Sequence, residues 1–262
     1  MGDGIRWLAD GDALTGWMTG VVFARGIDAE ELAVRMGGAP GAGTEPITGA
    51  EVVQLDMEIY RPDGRGDGVV RVGEHAGWAF AIEYGDSTGG QRLEEISREG
   101  AEAIHYVPVG EHPPATFFYA RDGHSMCGFG LCEEAIRWGE EPDLLLPDLV
   151  AAGILRPDGK THCAPEDEDE DEDEDDEDYA ALRGRTLAVV EKRFGLSLPP
   201  AFLTKARLPA YAVRGTPDMT TEDPDFDAVC AWATVNGYPL PSGRLRLIPR
   251  LLRRAYQHAT SH

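Results

Sequence analysis

Continuous apolar runs of strand length recur through the first half of this chain. They occupy six segments: 17–24, 68–72, 78–84, 103–109, 116–120 and 126–131. The last two are separated by Arg121-Asp-Gly-His124, a sequence typical of a hairpin turn. Because strands follow one another rather than alternating strictly with helices, the pattern favours an α+β fold built on an antiparallel sheet with flanking helices.

Helical patterns lie between and after these runs. Asp28 followed by Glu31 is a capping-box signal for a short helix that ends at Gly37-Gly38. Thr48 with Glu51 is a second such signal, for a helix over 48–59. Further helices are expected at three segments: 92–99, 143–154 and 179–194, the last ending at Gly195.

An uninterrupted acidic run, in which every residue from Glu166 to Asp178 is Asp or Glu, divides the chain. Such a segment cannot bury apolar surface, so 164–178 is predicted to be a disordered acidic insertion. The helix after it is apolar on one side and is expected to pack back onto the first part. The predicted organisation is therefore an α+β domain over 1–163 and 179–213, a linker over 214–225 and a helical basic module over 226–262.

The terminal module is predicted to contain two small helices. Residues 226–235 predict the first helix, and Pro249 stands where the first turn of the second tolerates proline. In that second helix, apolar side chains at Leu252, Ala255 and Tyr256 occupy one face. Arginines with the same spacing occupy another face: Arg250, Arg253 and Arg254.

Charge is distributed very unevenly along the 262 residues. The formal net charge is −23, yet the segment from Phe226 to His262 carries five arginines and one carboxylate, Asp227. No apolar run is long enough to span a membrane, and the N-terminus has no secretory signal pattern. Four cysteines without framework spacing predict reduced thiols, so a cytoplasmic location is expected.

The order of several motifs resembles an uncharacterised actinomycete family, a domain of unknown function. The segments that carry the resemblance are WMTGVVF, RGIDAEELAVRMGG, GWAFAIEYG, FYARDG, WGEEPDLL and FGLSLPPAFL. The resemblance covers about residues 5–213, interrupted by the acidic run. It implies a cytoplasmic α+β domain and supplies no activity.

The terminal module resembles the DNA-binding half of the Lsr-type histone-like nucleoid-structuring proteins of actinobacteria. The matching features are Trp232-Ala233, Asn236-Gly237-Tyr238, Gly243-Arg244, Ile248-Pro249 and Ala255-Tyr256. In that family an Arg-Gly-Arg loop enters the minor groove of AT-rich DNA, where the narrow groove concentrates negative potential. Here Ser242 replaces the first arginine, and Arg246 is placed to substitute for it. The resemblance implies a DNA-binding set: Ser242, Gly243, Arg244, Arg246, Arg250, Arg253 and Arg254.

Other motifs give weaker chemical signals. His124, Cys127 and Cys132, with His162-Cys163 as a further ligand, could bind zinc, but small buried thiols are the preferred interpretation. Carboxylate pairs such as Glu133-Glu134 are interpreted as solvated faces. No phosphate-loop, nucleophile-elbow or dinucleotide motif occurs, so we expect a protein that is not an enzyme and needs no cofactor.

Two functional hypotheses follow from these patterns. In the first, an α+β interaction or sensory domain is tethered to AT-rich double-stranded DNA by the terminal module, as in a nucleoid-associated factor. In the second, the chain is an acidic cytoplasmic protein-interaction module, similar to an immunity protein or antitoxin, which binds an unknown protein partner and no DNA. The acidic run is either a solubilising linker or a competitor of DNA for the basic module.

Overall fold

The computed structural model describes residues 4–9, 18–52, 68–85, 88–108, 115–163, 176–213, 226–236 and Tyr256. The chain divides into two compact units, Met1–Gly215 and Thr216–His262. The first unit is an eight-stranded antiparallel sheet with flanking helices, which confirms the predicted α+β class. Among the described residues, no helix is long and apolar enough to cross a membrane.

Every strand pair in the sheet is antiparallel. The spatial order is β7-β6-β5-β4-β1-β3-β2-β8, so the N-terminal strand lies in the interior of the sheet. The strands are β1 Met18–Arg25, β2 Gly68–His75, β3 Trp78–Gly85, β4 Glu102–Val107, β5 Thr116–Arg121, β6 His124–Gly130, β7 Arg137–Trp138 and β8 Ala210–Val213.

Helices cover the two faces of the sheet. They are a 3-10 turn Arg6–Ala9, α1 Ala29–Arg35, α2 Thr88–Ile96, α3 Leu146–Ala151, α4 Asp176–Phe194 and α5 Ala201–Thr204. The larger core cluster joins one face to the 3-10 turn, α3, α4 and α5, through side chains such as Leu8, Leu149, Leu187 and Leu203. The smaller cluster joins the opposite face to α1 and α2.

Local sequence signals account for several element boundaries. The Asp28 side chain accepts a hydrogen bond from the Glu31 backbone N–H at 2.8 Å, which is half of the predicted capping box. The reciprocal half is not made, because the Glu31 carboxylate instead binds Arg35 at 2.7 Å. Thr48 and Glu51 complete the second capping box, with the Glu51 carboxylate accepting from the Thr48 N–H at 2.7 Å. Residues 49–52 are helical, and the rest of that predicted helix lies outside the described residues.

Some elements differ from the sequence-based expectations. The 3-10 turn, β7 and β8 are not predicted by the strand and helix patterns, because each has only two to four residues. The helix expected over 143–154 is regular only from Leu146 to Ala151, and α2 begins at Thr88, four residues before the expected start. Helix α4 begins at Asp176, so the last three residues of the acidic run are helical rather than extended.

The terminal unit contains α6, Phe226–Val235, with the bounds that the sequence predicts. Val229 and Ala233 on this helix are fully buried. The ring of Trp232 packs edge-on against that of Tyr256, with 5.8 Å between centroids. The contact joins α6 to the segment predicted as the second helix.

Candidate functional site

A glutamate and a histidine are buried together within the sheet of the larger unit. Glu83 lies on β3 and His105 on β4, and Oε2 of Glu83 is 2.7 Å from Nε2 of His105. Glu83 is 0% exposed and His105 is 1% exposed. Buried ionisable groups are costly unless they are paired, so this pair is the most distinctive chemical feature of the described residues.

A glycine on the strand between them allows the two side chains to meet. Strand β1 separates β3 from β4, and Gly20 on β1 is the register partner of Glu83. A Cβ atom at Gly20 would lie 2.3 Å from Oε2 of Glu83 and 2.9 Å from Nε2 of His105. The pairing register also shifts between Met18 and Gly20. Since neither distance is compatible with a side chain, the absence of one at Gly20 is a condition for the pair.

The N-terminus of α2 supplies the remaining contacts of the carboxylate. Oε1 of Glu83 accepts hydrogen bonds from the Gly89 backbone N–H at 2.6 Å and from the Thr88 hydroxyl at 3.2 Å. Backbone N–H groups and the helix dipole both favour negative charge at this position. A Cβ at Gly89 would lie 2.3 Å from the side chain of Val22, so this glycine lets α2 approach the sheet closely.

An aromatic row leads from His105 towards the surface. His105, Phe118, Gly128 and Trp138 are successive cross-strand partners on β4, β5, β6 and β7. The His105 ring stacks on Phe118 at 6.3 Å between centroids, and Phe118 contacts Trp138 at 5.8 Å. Trp138 is 39% exposed, and its indole occupies the space above Gly128. The row ends in partly exposed apolar surface.

A carboxylate-oriented imidazole is an arrangement that enzymes use to move protons. Here both groups are sealed from solvent, so no reactant reaches them in this conformation. The hydrogen bonds of Glu83 to His105 and Gly89 connect β3 to β4, across β1, and to the start of α2.

A second buried charge anchors the opposite face of the sheet. Arg71 on β2 is 0% exposed and donates to the Tyr84 hydroxyl and to three carbonyls at the end of α5: Phe202, Leu203 and Ala206. The bonds are 2.7 to 3.1 Å long. Arg71 therefore caps α5 from within the core.

The residues considered as zinc ligands do not converge. His124 is exposed and lies 3.0 Å from Glu140, whereas Cys127 is buried in the larger core cluster. Burial raises the pKa of the Cys127 thiol to about 11. Burial, and then the negative charge of Glu134, likewise raises the pKa of Cys132 to about 11. Within the described ranges, no three His, Cys, Asp or Glu side chains are arranged to hold a metal ion.

The interpretation of Glu133-Glu134 as a solvated face is wrong for Glu134. This residue is 1% exposed, and its Oε1 accepts hydrogen bonds from the Thr186 hydroxyl at 2.5 Å and the Cys132 N–H at 3.0 Å. The Nδ1 atom of His162 lies 3.7 Å from Oε2 of Glu134. The carboxylate therefore joins the connection between β6 and β7 to α4, through a contact between residues 52 positions apart that local patterns cannot reveal.

The predicted DNA-binding set lies outside the described residues: Ser242, Gly243, Arg244, Arg246, Arg250, Arg253 and Arg254. The structure does describe the side chains expected to form the core of their module, namely Val229, Trp232, Ala233 and Tyr256. The assignment of these seven residues to DNA stays a prediction.

Residues 5–217 match a family described as "Family of unknown function (DUF6461)". The match spans most of the chain, and the chain belongs to this family. The expected domain of unknown function is thereby confirmed, and the match ends close to the boundary between the two units at Gly215. Searches of curated proteins and of solved structures found no match.

Proposed function

We propose that this is a non-enzymatic DNA-associated protein in which the unit from Thr216 to His262 binds AT-rich double-stranded DNA. The eight-stranded family domain is the interaction or sensory part, and the terminal unit carries it to the nucleoid. The family match and the division into compact units end within two residues of each other, at 217 and 215. This agreement supports a terminal unit that is an addition to the family domain with a task of its own.

The observation that carries the proposal is the small core of the terminal unit. Trp232 and Tyr256 pack edge-on, and Val229 and Ala233 are buried beside them. Trp232, Ala233 and Tyr256 are among the residues that carry the resemblance to the Lsr-type DNA-binding module, together with Asn236-Gly237-Tyr238, Gly243-Arg244 and Ile248-Pro249. A module of this size needs such a core to present its arginines in a fixed arrangement.

The chemistry of the arginines supports the minor groove as the target. Five arginines and a single carboxylate occur from Phe226 to His262, in a chain whose net charge is −23. Arginine is favoured in narrow AT-rich minor grooves because negative potential is concentrated there. In the proposal, Arg244 enters the groove, Arg246 substitutes for the arginine that Ser242 replaces, and the helix arginines contact phosphates.

The test is an electrophoretic mobility shift with the full-length protein and two duplexes of equal length, one AT-rich and one GC-rich. Wild type is expected to bind the AT-rich duplex more tightly, and Arg244→Ala is expected to lose that preference. Lys205→Ala, which removes a cation from the family domain, serves as the matched control and should bind as wild type does.

Absence of binding to either duplex would refute the proposal and favour the alternative, an acidic interaction module similar to an immunity protein. Equal affinity for both duplexes, unaffected by Arg244→Ala, would refute the minor-groove assignment and leave only nonspecific attraction to phosphate.

A further inference from the structure

The outer side of α4 in the family domain carries an open groove. Two adjoining cavities, of about 670 and 320 Å³, share Arg6 and Arg185 in their linings. The first extends between the 3-10 turn and α4, and the second extends between α4 and α3. The floor is formed by small and apolar side chains, among them Trp7, Ala181, Ala188 and Val189.

Three cations rim this floor: Arg6, Arg185 and Lys192. No described carboxylate forms an ion pair with Arg6 or Lys192. Arg185 donates to the carbonyls of Ala152 and Gly153 at 3.3 and 3.0 Å, which fixes its guanidinium, and no described carboxylate forms an ion pair with it.

The linings also contain two carboxylates, Glu191 and Asp148, which offset part of this positive charge. Glu191 accepts the Ile5 backbone N–H at 2.8 Å, and Asp148 lies 3.8 Å from Arg193. The groove therefore combines three cations with two carboxylates over a largely apolar floor, and its lining is net positive within a strongly acidic chain.

We propose that this groove docks an amphipathic helix of a partner protein, with an apolar stripe against the floor and Asp or Glu opposite Arg6, Arg185 and Lys192. Charge complementarity selects the acidic residues, and the apolar floor selects the stripe. The chain's own acidic run from Glu166 to Asp178 contains no apolar residue, so it could neutralise the rim but could not cover the floor.

Gly184 provides the point of closest approach. A Cβ added there would meet only the Ala9 Cβ at 3.8 Å, which is an ordinary contact distance. The helix backbone is therefore accessible at this position, and a partner helix can pack closely against it. This proposal concerns the family domain alone and does not depend on DNA binding by the terminal unit.

The test uses the full-length protein and a fluorescein-labelled 18-residue helical peptide that has leucines along one face and glutamates on both flanks. A second peptide replaces every glutamate by lysine, and a third has the sequence of residues 166–178. Fluorescence anisotropy is expected to show salt-sensitive binding of the acidic amphipathic peptide. The lysine peptide should not bind, and the all-acidic peptide should bind at least about tenfold more weakly.

Two variants locate the binding. The double variant Arg6→Glu and Lys192→Glu should lower the affinity for the acidic amphipathic peptide on the order of tenfold or more. The control double variant Arg156→Glu and Lys205→Glu should leave this affinity unchanged. Gly184→Leu fills the groove without changing charge and should weaken binding while the domain stays folded, since leucine is the better helix former.

Three outcomes would overturn the proposal: no binding of the acidic amphipathic peptide, equal binding of the lysine peptide, or equal loss in the control variant. Concentration-dependent dimerisation that Gly184→Leu abolishes, without peptide binding, would assign the groove to a second copy instead.

Discussion

Gly20→Ala tests whether the buried Glu83–His105 pair holds the family domain together. The added Cβ would lie 2.3 Å from the Glu83 carboxylate and 2.9 Å from the His105 ring. Gly20 is paired with Glu83 on β3, and from Val21 onwards β1 is paired on both sides, which limits how far the backbone can move away. We therefore expect the carboxylate to be displaced.

The cost follows from what the displaced carboxylate leaves behind. His105 loses the partner at 2.7 Å, and the Gly89 N–H loses its acceptor at 2.6 Å, both in a fully buried setting. A buried donor or acceptor left without a partner costs roughly 1–3 kcal/mol, and two such groups are left here, so we expect a loss of about 3 kcal/mol or more in the free energy of unfolding. This is a large part of the ~5–15 kcal/mol that stabilises a typical domain.

The assay is urea denaturation of the full-length protein at pH 7, with the sheet followed by far-UV circular dichroism. Gly184→Ala is the matched control, because its added methyl group meets only Ala9 at 3.8 Å. In the helix interior, alanine should stabilise by about 0.5–1 kcal/mol relative to glycine. Replacing glycine by alanine should therefore lower the free energy of unfolding at Gly20 and raise it at Gly184.

A double-mutant cycle isolates the steric cause. In a Glu83→Ala background the closer of the two contacts is removed and only the 2.9 Å approach to His105 remains, so Gly20→Ala should cost clearly less there than in wild type. A Gly20→Ala protein as stable as wild type, or a cost that is unchanged in the Glu83→Ala background, would refute the reasoning.

Two further predictions concern buried groups elsewhere in the family domain. Arg71→Met should lower the free energy of unfolding in urea by about 3–5 kcal/mol, because three carbonyls of the α5 region and the Tyr84 hydroxyl lose their buried donor. The control Arg207→Met removes an exposed ion pair and should change stability by less than about 1 kcal/mol. Equal effects of the two substitutions would contradict the capping of α5 by Arg71. Burial raises the pKa of the Cys127 and Cys132 thiols to about 11, above the ~8.5 of an unfolded thiol, so the unfolded chain releases these protons first and stability should fall as pH rises from about 8.5 towards 11. Urea midpoints at pH 7, 9 and 10 measure this fall, and replacing both cysteines by alanine should reduce it; an unchanged pH dependence would contradict the assignment.

The sequence predicts those elements whose signals are local. Strand β1, helix α1 with its Asp28 cap, and the hairpin turn of Asp122-Gly123 depend on neighbouring residues, and the structure confirms them. The turn between β2 and β3 is also local, although β2 continues to His75, three residues beyond the predicted end of that strand at 72. Strand β8 is different, because its four residues form a strand only by pairing with β2, about 140 positions earlier.

The Glu83–His105 pair depends on sheet order, which strand patterns alone do not give. The two residues are 22 positions apart, and they meet only because β1 inserts between β3 and β4 with a glycine at the crossing point. The sequence does contain a signal: Glu83 is the one acidic residue of the strand segment AIEYG, and His105 is the one basic residue of AIHYV. A polar residue at an inward-facing strand position is expected to have a buried partner.

The central functional claim is that the terminal arginines contact DNA, and the salt dependence of binding tests it most directly. Affinity of the full-length protein for a labelled AT-rich duplex should be measured by fluorescence anisotropy from about 50 to 200 mM salt. If about four of the five terminal arginines neutralise phosphate charge, the three helix arginines among them, the logarithm of the affinity should fall with the logarithm of salt concentration at a slope between about −3 and −4. Replacing Arg250, Arg253 and Arg254 by alanine should make that slope less negative by about 3. Absence of binding at the lowest salt, or a slope that these substitutions leave unchanged, would contradict the account.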